Sequence, residues 1–212
     1  YKSYLKWRTS LFNDTDGLWY RDSNFIYNPS LTYVSDEKTP NISPNGKKVY
    51  WSRGNAWVYV SLARNLRIMN SSGKAYETYR SDFIKMSEAL SNCQREDGFW
   101  NANLGDNQHL AGRETSGTCG FWFGLCTGIE LGILDREVYQ PVADKIYAGI
   151  SQYAVNKDGM LGYCQPVGSS PAAAKQSDTN MFGVGLYLMG ASAYMRICED
   201  YSEKALVTSE LS

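Results

Sequence analysis

Residues 50–57 read Tyr50-Trp51-Ser52-Arg53-Gly54-Asn55-Ala56-Trp57. Two indoles and one guanidinium stand among small residues. Val58, Leu62, Ala63 and Leu66 follow at helical spacing, which predicts a helix from about Arg53 to Met69. Trp51 falls on the loop before it, Arg53 on its first turn and Trp57 about one turn further, so all three project toward one end. Flat apolar rings beside a planar cationic fork suit a ligand with an apolar sugar face and a carboxylate. The competing reading makes both tryptophans core and pairs Arg53 with an acidic neighbour.

Outward from this stretch the chain repeats itself. An Asp-Gly turn, a short extended aromatic piece, a loop, a small-residue helix and an amphipathic helix recur with Gly17, Gly98 and Gly159. Residues 1–13 read as the end of a helix, and Leu18-Trp19-Tyr20-Arg21-Asp22 as a short extended piece. The polar segment 23–50, with Pro29, Pro40 and Pro44, reads as a long surface loop. Helices are predicted at about Ala75 to Cys93, from Thr118 to about Gly132, from about Glu137 to Val155, and from Met181 to about Cys198. The tail from Asp200 shows no motif and is expected to fray. Helices rich in Gly and Ala and apolar all round are buried between neighbours, whereas amphipathic ones form an outer layer. Paired layers of this kind describe an α/α toroid or an α-solenoid. The turns before the inner helices all fall at one end, where a ligand site would form.

Composition narrows the functions. Among 212 residues, 16 Tyr and 6 Trp favour wet, partly apolar surfaces, although such residues also fill large helical cores. A net charge of −1 gives no basic field for nucleic acid. No apolar run in the sequence reads as long enough to span a bilayer. Cys93, Cys119, Cys126, Cys164 and Cys198 are odd in number and lack a C-x-x-C, so neither a disulfide framework nor a zinc site is indicated. His109 is the sole histidine, which rules out a multi-histidine metal centre within the chain. It sits in a polar loop and reads as solvated. The chain opens on Tyr1 without a signal-peptide pattern, so a mature chain and a fragment both stay open.

The string Asn45-Gly46-Lys47-Lys48-Val49-Tyr50-Trp51-Ser52-Arg53-Gly54-Asn55-Ala56-Trp57 resembles the signature of glycoside hydrolase family 105, the unsaturated rhamnogalacturonyl hydrolases. Leu18 to Asp22 resembles the segment that precedes it. Glu114-Thr115-Ser116-Gly117-Thr118, with Gly128-Ile129 and Gly132-Ile133-Leu134-Asp135, resembles the next inner helix, and Gly183-Val184-Gly185 the last. Family 88, the unsaturated glucuronyl hydrolases, shares the Trp-x-Arg-Gly-x-x-Trp element, and the two ends of the third helix favour family 105. The resemblance implies an all-α (α/α)6 barrel, the six-hairpin glycosidase type, with residues 1–212 forming about the C-terminal half of one domain.

It also implies the chemistry. Members hydrate the 4,5 double bond of an unsaturated uronic acid, as in oligosaccharides cut from pectin rhamnogalacturonan, with no metal or other cofactor. One aspartic acid protonates C4 and then, as carboxylate, draws a proton from the water that attacks C5. That aspartate belongs to an earlier Trp-x-Asp-x-Leu-like motif that is absent here, so no catalytic residue is assigned. Arg53 is implied to bind the uronate carboxylate, and Trp51 and Trp57 to stack on or wall the ring. Tyr20 and Arg21 are weaker candidates, because some members carry a histidine where Arg21 stands. Thr118 reads as a cap or packing residue. A catalytically inactive carbohydrate-binding remnant and an α-solenoid interaction module remain as alternatives. Bacterial members occur in the cytoplasm and in the periplasm. Three inner helices cannot close a six-pair ring, so the chain is expected to be inactive alone and to need an N-terminal half or self-association. Phe121, Trp122, Phe123, Tyr187 and Met189 are expected among the residues laid bare.

Overall fold

Each Asp-Gly turn reverses the chain through a glycine with positive φ: 66° at Gly17, 84° at Gly98 and 83° at Gly159. L-residues with a Cβ avoid that region. The computed structural model describes residues 1–34 and 40–210, with side chains described to Glu199. Six helices dominate it: α1 (Lys2–Leu11), α2 (Ser52–Ile68), α3 (Lys74–Asn92), α4 (Thr115–Glu130), α5 (Arg136–Gly149) and α6 (Met181–Glu210). A two-residue hairpin, β1 (Phe12–Asn13) with β2 (Leu18–Trp19), closes the first turn in antiparallel register, Phe12 opposite Trp19. Among the described residues α2 pairs with α3 and α4 with α5, while α2, α4 and α6 pack side by side as the inner layer.

The helix α4 shows why. Every residue from Thr115 to Ile129 is buried, because α2 packs on one side, α6 on the other and α5 against it. Glycines permit that approach. A Cβ on Gly124 would fall 2.3 Å from the Tyr59 ring, and one on Gly190 2.8 Å from the Trp122 ring. Outer helix α3 instead buries a stripe of Asp82, Phe83, Met86, Ser87 and Leu90. Phe83 stacks flat on Tyr59 of α2 at 4.6 Å. Asp82 is held in place by the Tyr4 hydroxyl at 2.7 Å and by Arg8 Nε, also at 2.7 Å. Away from the loops, Glu130 on α4 accepts from Arg67 of α2 at 2.6 Å and from Arg196 of α6 at 3.2 Å. One carboxylate thus ties all three inner helices.

Several expectations change. Helix α5 ends at Gly149 and continues as a π-type turn over Ile150–Ala154, where the backbone makes way for the next Asp-Gly turn. Helix α6 runs on to Glu210, beyond Cys198, so its backbone is helical where fraying was expected; residues 211–212 lie outside the described ones. The stretch Met181–Glu199 is also long and apolar enough to cross a membrane by length and composition alone, contrary to the sequence reading. One face of it packs on α4, and much of the rest is exposed. The segment 23–50, apart from 35–39 outside the described residues, is more than a surface loop. Phe25, Ile42, Val49 and Tyr50 are buried, and Asp106 accepts from Ser43 Oγ at 2.6 Å and Asn45 Nδ2 at 2.8 Å. Phe121, Trp122 and Phe123 are buried, and Tyr187 and Met189 half-buried, because neighbouring helices within the chain cover them. The bare apolar residues are others, among them Met181, 87 % exposed, Leu188, 61 %, and Met195, 59 %, on α6, Trp7 on α1 and Trp57 on α2.

Candidate functional site

The inner helices begin side by side, and one local device sets their starts. Asn55 on α2 accepts from the Trp19 N–H at 2.8 Å and donates to the Trp19 carbonyl at 3.0 Å. Thr118 on α4 accepts from the Trp100 N–H at 3.2 Å. Each polar residue lies four past its helix N-cap and clips the aromatic piece of its repeat. Residues 101–104 are then zipped to 50–52 through Ser52 N–H to Ala102 O and Leu104 N–H to Tyr50 O, both 2.9 Å. Thr118 is therefore a packing residue, as the sequence suggested.

Glu114 joins the helix starts. Its carboxylate accepts from the N–H groups of Ser116 at 3.0 Å and Gly117 at 2.7 Å, capping α4. It also accepts from Ser52 Oγ at 3.1 Å on α2 and from Gln165 N–H at 3.4 Å on the loop before α6. The side-chain oxygen of Gln165 in turn receives Trp51 Nε1 at 2.9 Å and Ala172 N–H at 3.1 Å.

Arg53 is 4 % exposed and lies within this assembly. Its Nη1 donates to Gln165 O at 2.7 Å and its Nη2 to Pro166 O at 2.8 Å. The guanidinium stands 4.8 Å from the Trp51 ring and 4.7 Å from Phe182. None of the described carboxylates lies within ion-pair distance of it. Burial pulls its pKa below the ordinary arginine value, with the Glu114 charge acting the other way. Trp57 is 45 % exposed and meets Phe182 edge-on at 6.4 Å. Phe182 is the second residue of α6, as Arg53 is of α2. Superposing the helix starts would have singled it out, whereas nothing near Gln165 in the sequence marks it as the partner of Trp51 and Arg53.

Four of the five sequence candidates, Tyr20, Arg21, Trp51 and Trp57, line one largely apolar groove of 510 Å³ between α1 and α2. Arg53 adjoins it through Trp51 but is not in the lining. Tyr20 is buried, 4.8 Å from the Tyr50 ring, and Arg21 is exposed, paired with Asp22 and over the Phe25 ring at 5.6 Å. None of the described residues lining the groove is a carboxylate. Asp14 pairs with Arg8 and Lys85, and Asp16 with Lys48 and the Tyr50 hydroxyl. Asp22 caps the short 3-10 helix Ser23–Phe25. His109 is half-buried rather than solvated, its Nδ1 3.1 Å from Asn103 Nδ2, and burial lowers its pKa.

Known proteins share this architecture. The family model described as Glycosyl Hydrolase Family 88 matches residues 1–198. An unsaturated 3S-rhamnoglycuronyl hydrolase of Alteromonas sp. (strain LOR) is 35 % identical over 182 residues, which are 86 % of this chain and 41 % of that protein. The solved structure of a glycosyl hydrolase family 88 protein from Bacteroides vulgatus matches with TM-score 0.80 and 30 % identity, covering 91 % of this chain and 53 % of its own. A possible member of the GH105 family from Salmonella enterica shares the fold, with TM-score 0.69 and 21 % identity over 92 % of this chain and 48 % of its own. The chain thus spans about half the length of the relatives it matches, which fits about half of a six-hairpin toroid. Matched by the family model along nearly its whole length, and sharing its fold with relatives from both families that the 50–57 motif suggested, the chain belongs to glycosyl hydrolase family 88.

Proposed function

We propose that these 212 residues are half of a single toroidal domain and form one wall of an active site. The site acts on unsaturated uronyl oligosaccharides by hydrating the 4,5 double bond, and its proton donor lies outside this chain. The observation that carries this reading is a recognition surface without an acid. Trp51 and Phe182 flank a guanidinium at the loop end and Trp57 meets Phe182, while none of the described residues lining the adjoining groove is a carboxylate. The names of the relatives support a uronyl unit linked to rhamnose.

In this mechanism a carboxylic acid delivers its proton to C4 and leaves C5 electron-poor. Water adds at C5 as the new carboxylate takes its proton. The resulting hemiketal opens by cleavage of C5–O5, giving a ketone at C5 and a hemiacetal at C1. The hemiacetal hydroxyl then gives up its proton as the C1–O bond to the aglycone breaks, leaving an aldehyde at C1 and the protonated aglycone as an alcohol. One group gives and then takes a proton, so its pKa must lie near the working pH. Trp57 packs against the sugar face. Arg53 spends two of its five N–H donors on Gln165 and Pro166 and has three for the uronate carboxylate.

The assay follows the loss of ultraviolet absorbance of an unsaturated uronyl-rhamnose disaccharide. The complete protein is expected to turn it over and the 212-residue chain alone to leave it unchanged. In the complete protein, Arg53→Ala should weaken binding by about 1.5–3 kcal/mol, with thermal melting recorded because Arg53 also joins two carbonyls. Trp57→Ala should weaken it as well. Equal calorimetric affinity for wild type and Arg53→Ala removes Arg53 from the site, and turnover by a verified monomer of this chain overturns the split of wall from acid. The groove without a carboxylate also favours a second reading, a carbohydrate-binding remnant. It would bind the disaccharide with no turnover in the complete protein either. The family match sets the solenoid alternative aside.

A further inference from the structure

One buried amide sets the strand that carries Trp51. Asn103 is fully buried and stands opposite Trp51 in an isolated antiparallel bridge. Its side-chain oxygen accepts from the N–H groups of Tyr50 at 2.9 Å and Gly105 at 3.0 Å. Its Nδ2 therefore faces the Lys48 carbonyl at 3.4 Å and His109 Nδ1 at 3.1 Å. A flipped amide would set its NH2 group against two N–H donors and its oxygen against a carbonyl, so the backbone fixes its orientation.

That orientation dictates the state of the imidazole. Nδ1 has to accept, so the proton of the neutral ring sits on Nε2. A proton on Nδ1 would point at the Asn103 NH2 group. Leu110, the next residue, holds a φ of 54°, a conformation that persists where the surroundings over-determine it. Among the described residues, the charged groups around this loop are Asp106 within it, Lys47 and Lys48 from the segment before α2, and Arg95 and Glu96 from the turn after α3. Arg113, at the end of the loop, and Arg95 are paired with Asp97, and Lys48 with Asp16. Burial raises the Asp106 pKa, but bonds from Ser43 and Asn45 outweigh it and hold the group below the ordinary value, so its charge is constant while His109 titrates. Burial lowers the His109 pKa, and the Asp106 charge opposes that shift.

We propose that Asn103 and His109 are a positioning pair for Trp51, and that the pair holds only while the imidazole is neutral. Protonation sets an N–H against the Asn103 amide, which has to turn away and release the Tyr50 N–H beside the bridge to Trp51. Sugar recognition then weakens on the acid side. That consequence rests on the reading of Trp51 as a sugar-binding residue, whereas the pair itself does not. Both residues lie on the loop between α3 and α4, and neither lines the α1–α2 groove or belongs to α6.

The test is NMR of the complete protein labelled at histidine, with the His109 signal identified by its loss in His109→Gln. The imidazole should show the Nε2–H tautomer and titrate below about 6.5, the ordinary histidine value. The Trp51 indole N–H, identified with Trp51→Phe, should move with the same midpoint. It should stay still in His109→Gln, whose side-chain oxygen accepts from Asn103 at any pH. Asn103→Asp should reverse the sign, because a carboxylate there needs a donor at Nδ1, and raise the midpoint above about 6.5. In calorimetry between about pH 5 and 8, the affinity of wild type for the disaccharide should fall by up to about tenfold per pH unit below the midpoint. That of His109→Gln should lack this fall. An Nδ1–H tautomer, a midpoint that Asn103→Asp leaves in place, or an indole signal indifferent to the imidazole overturns the proposal. So does wild-type affinity that is constant through the midpoint. Failure of the wild type to bind the disaccharide at any pH would instead sink the substrate reading, and the NMR titrations alone would then decide for or against the pair.

Discussion

Glu114→Ala is expected to destabilise the chain by about 3–5 kcal/mol in urea titration. The change removes an N-cap, about 0.5–2 kcal/mol. It also strands buried donors that cost about 1–3 kcal/mol each when left without a partner. Those donors sit on three segments: Ser116 and Gly117 on α4, Ser52 on α2, and Gln165 before α6. The loss therefore loosens the platform under Trp51 and Arg53 as well as one helix. Glu114→Gln should lose less, since its remaining carbonyl oxygen still caps α4, but its amide faces donors that it cannot accept from. A loss below about 1 kcal/mol for Glu114→Ala, less than a typical buried cap, would show that the segments are held by packing alone.

Gly98→Ala should lose about 2–5 kcal/mol, and Gly159→Ala about 1–2 kcal/mol, in the same measurement. Both glycines have φ near +84°, 84° at Gly98 and 83° at Gly159, where a side chain is disfavoured by about 1–2 kcal/mol. Only at Gly98 is the space taken. A Cβ there would lie 2.0 Å from the Lys145 carbonyl oxygen of α5, whereas nothing lies within 4 Å at Gly159. Overpacking adds about 1–3 kcal/mol. The pair separates backbone strain from crowding, and equal losses would exclude the contact between the turn and α5 as a constraint.

The sequence announced what is local. Periodicity located α2 and α3 to within about a residue at each end, and the three Asp-Gly turns marked the repeat, because both signals lie within a few neighbouring residues. The tail from Asp200 shows no motif and reads as fraying, yet the backbone continues as helix to Glu210. The site was half legible. Trp51 and Arg53 do lie together, but what holds them is Gln165 and Pro166, more than a hundred residues away, and Phe182 on another helix. A motif records which residues gather and not what they turn toward. It offered Arg53 an acidic neighbour as one reading, where the fold gives it two carbonyls and two rings instead.

The bond of Glu130 to both Arg67 and Arg196 bears on how this fold tolerates changes in length. Such partly exposed pairs contribute little to stability, but they act as a lower pin matching the upper one at Glu114. Between the pins the inner helices behave like keyed shafts. One inserted residue would turn everything beyond it by about 100° and advance it by about 1.5 Å, unhooking a pin and swinging buried faces outward. Insertions and deletions should therefore accumulate in the segments that join the helices and be excluded from the inner helices themselves, leaving the rim of the toroid free to vary around a shaft of fixed pitch.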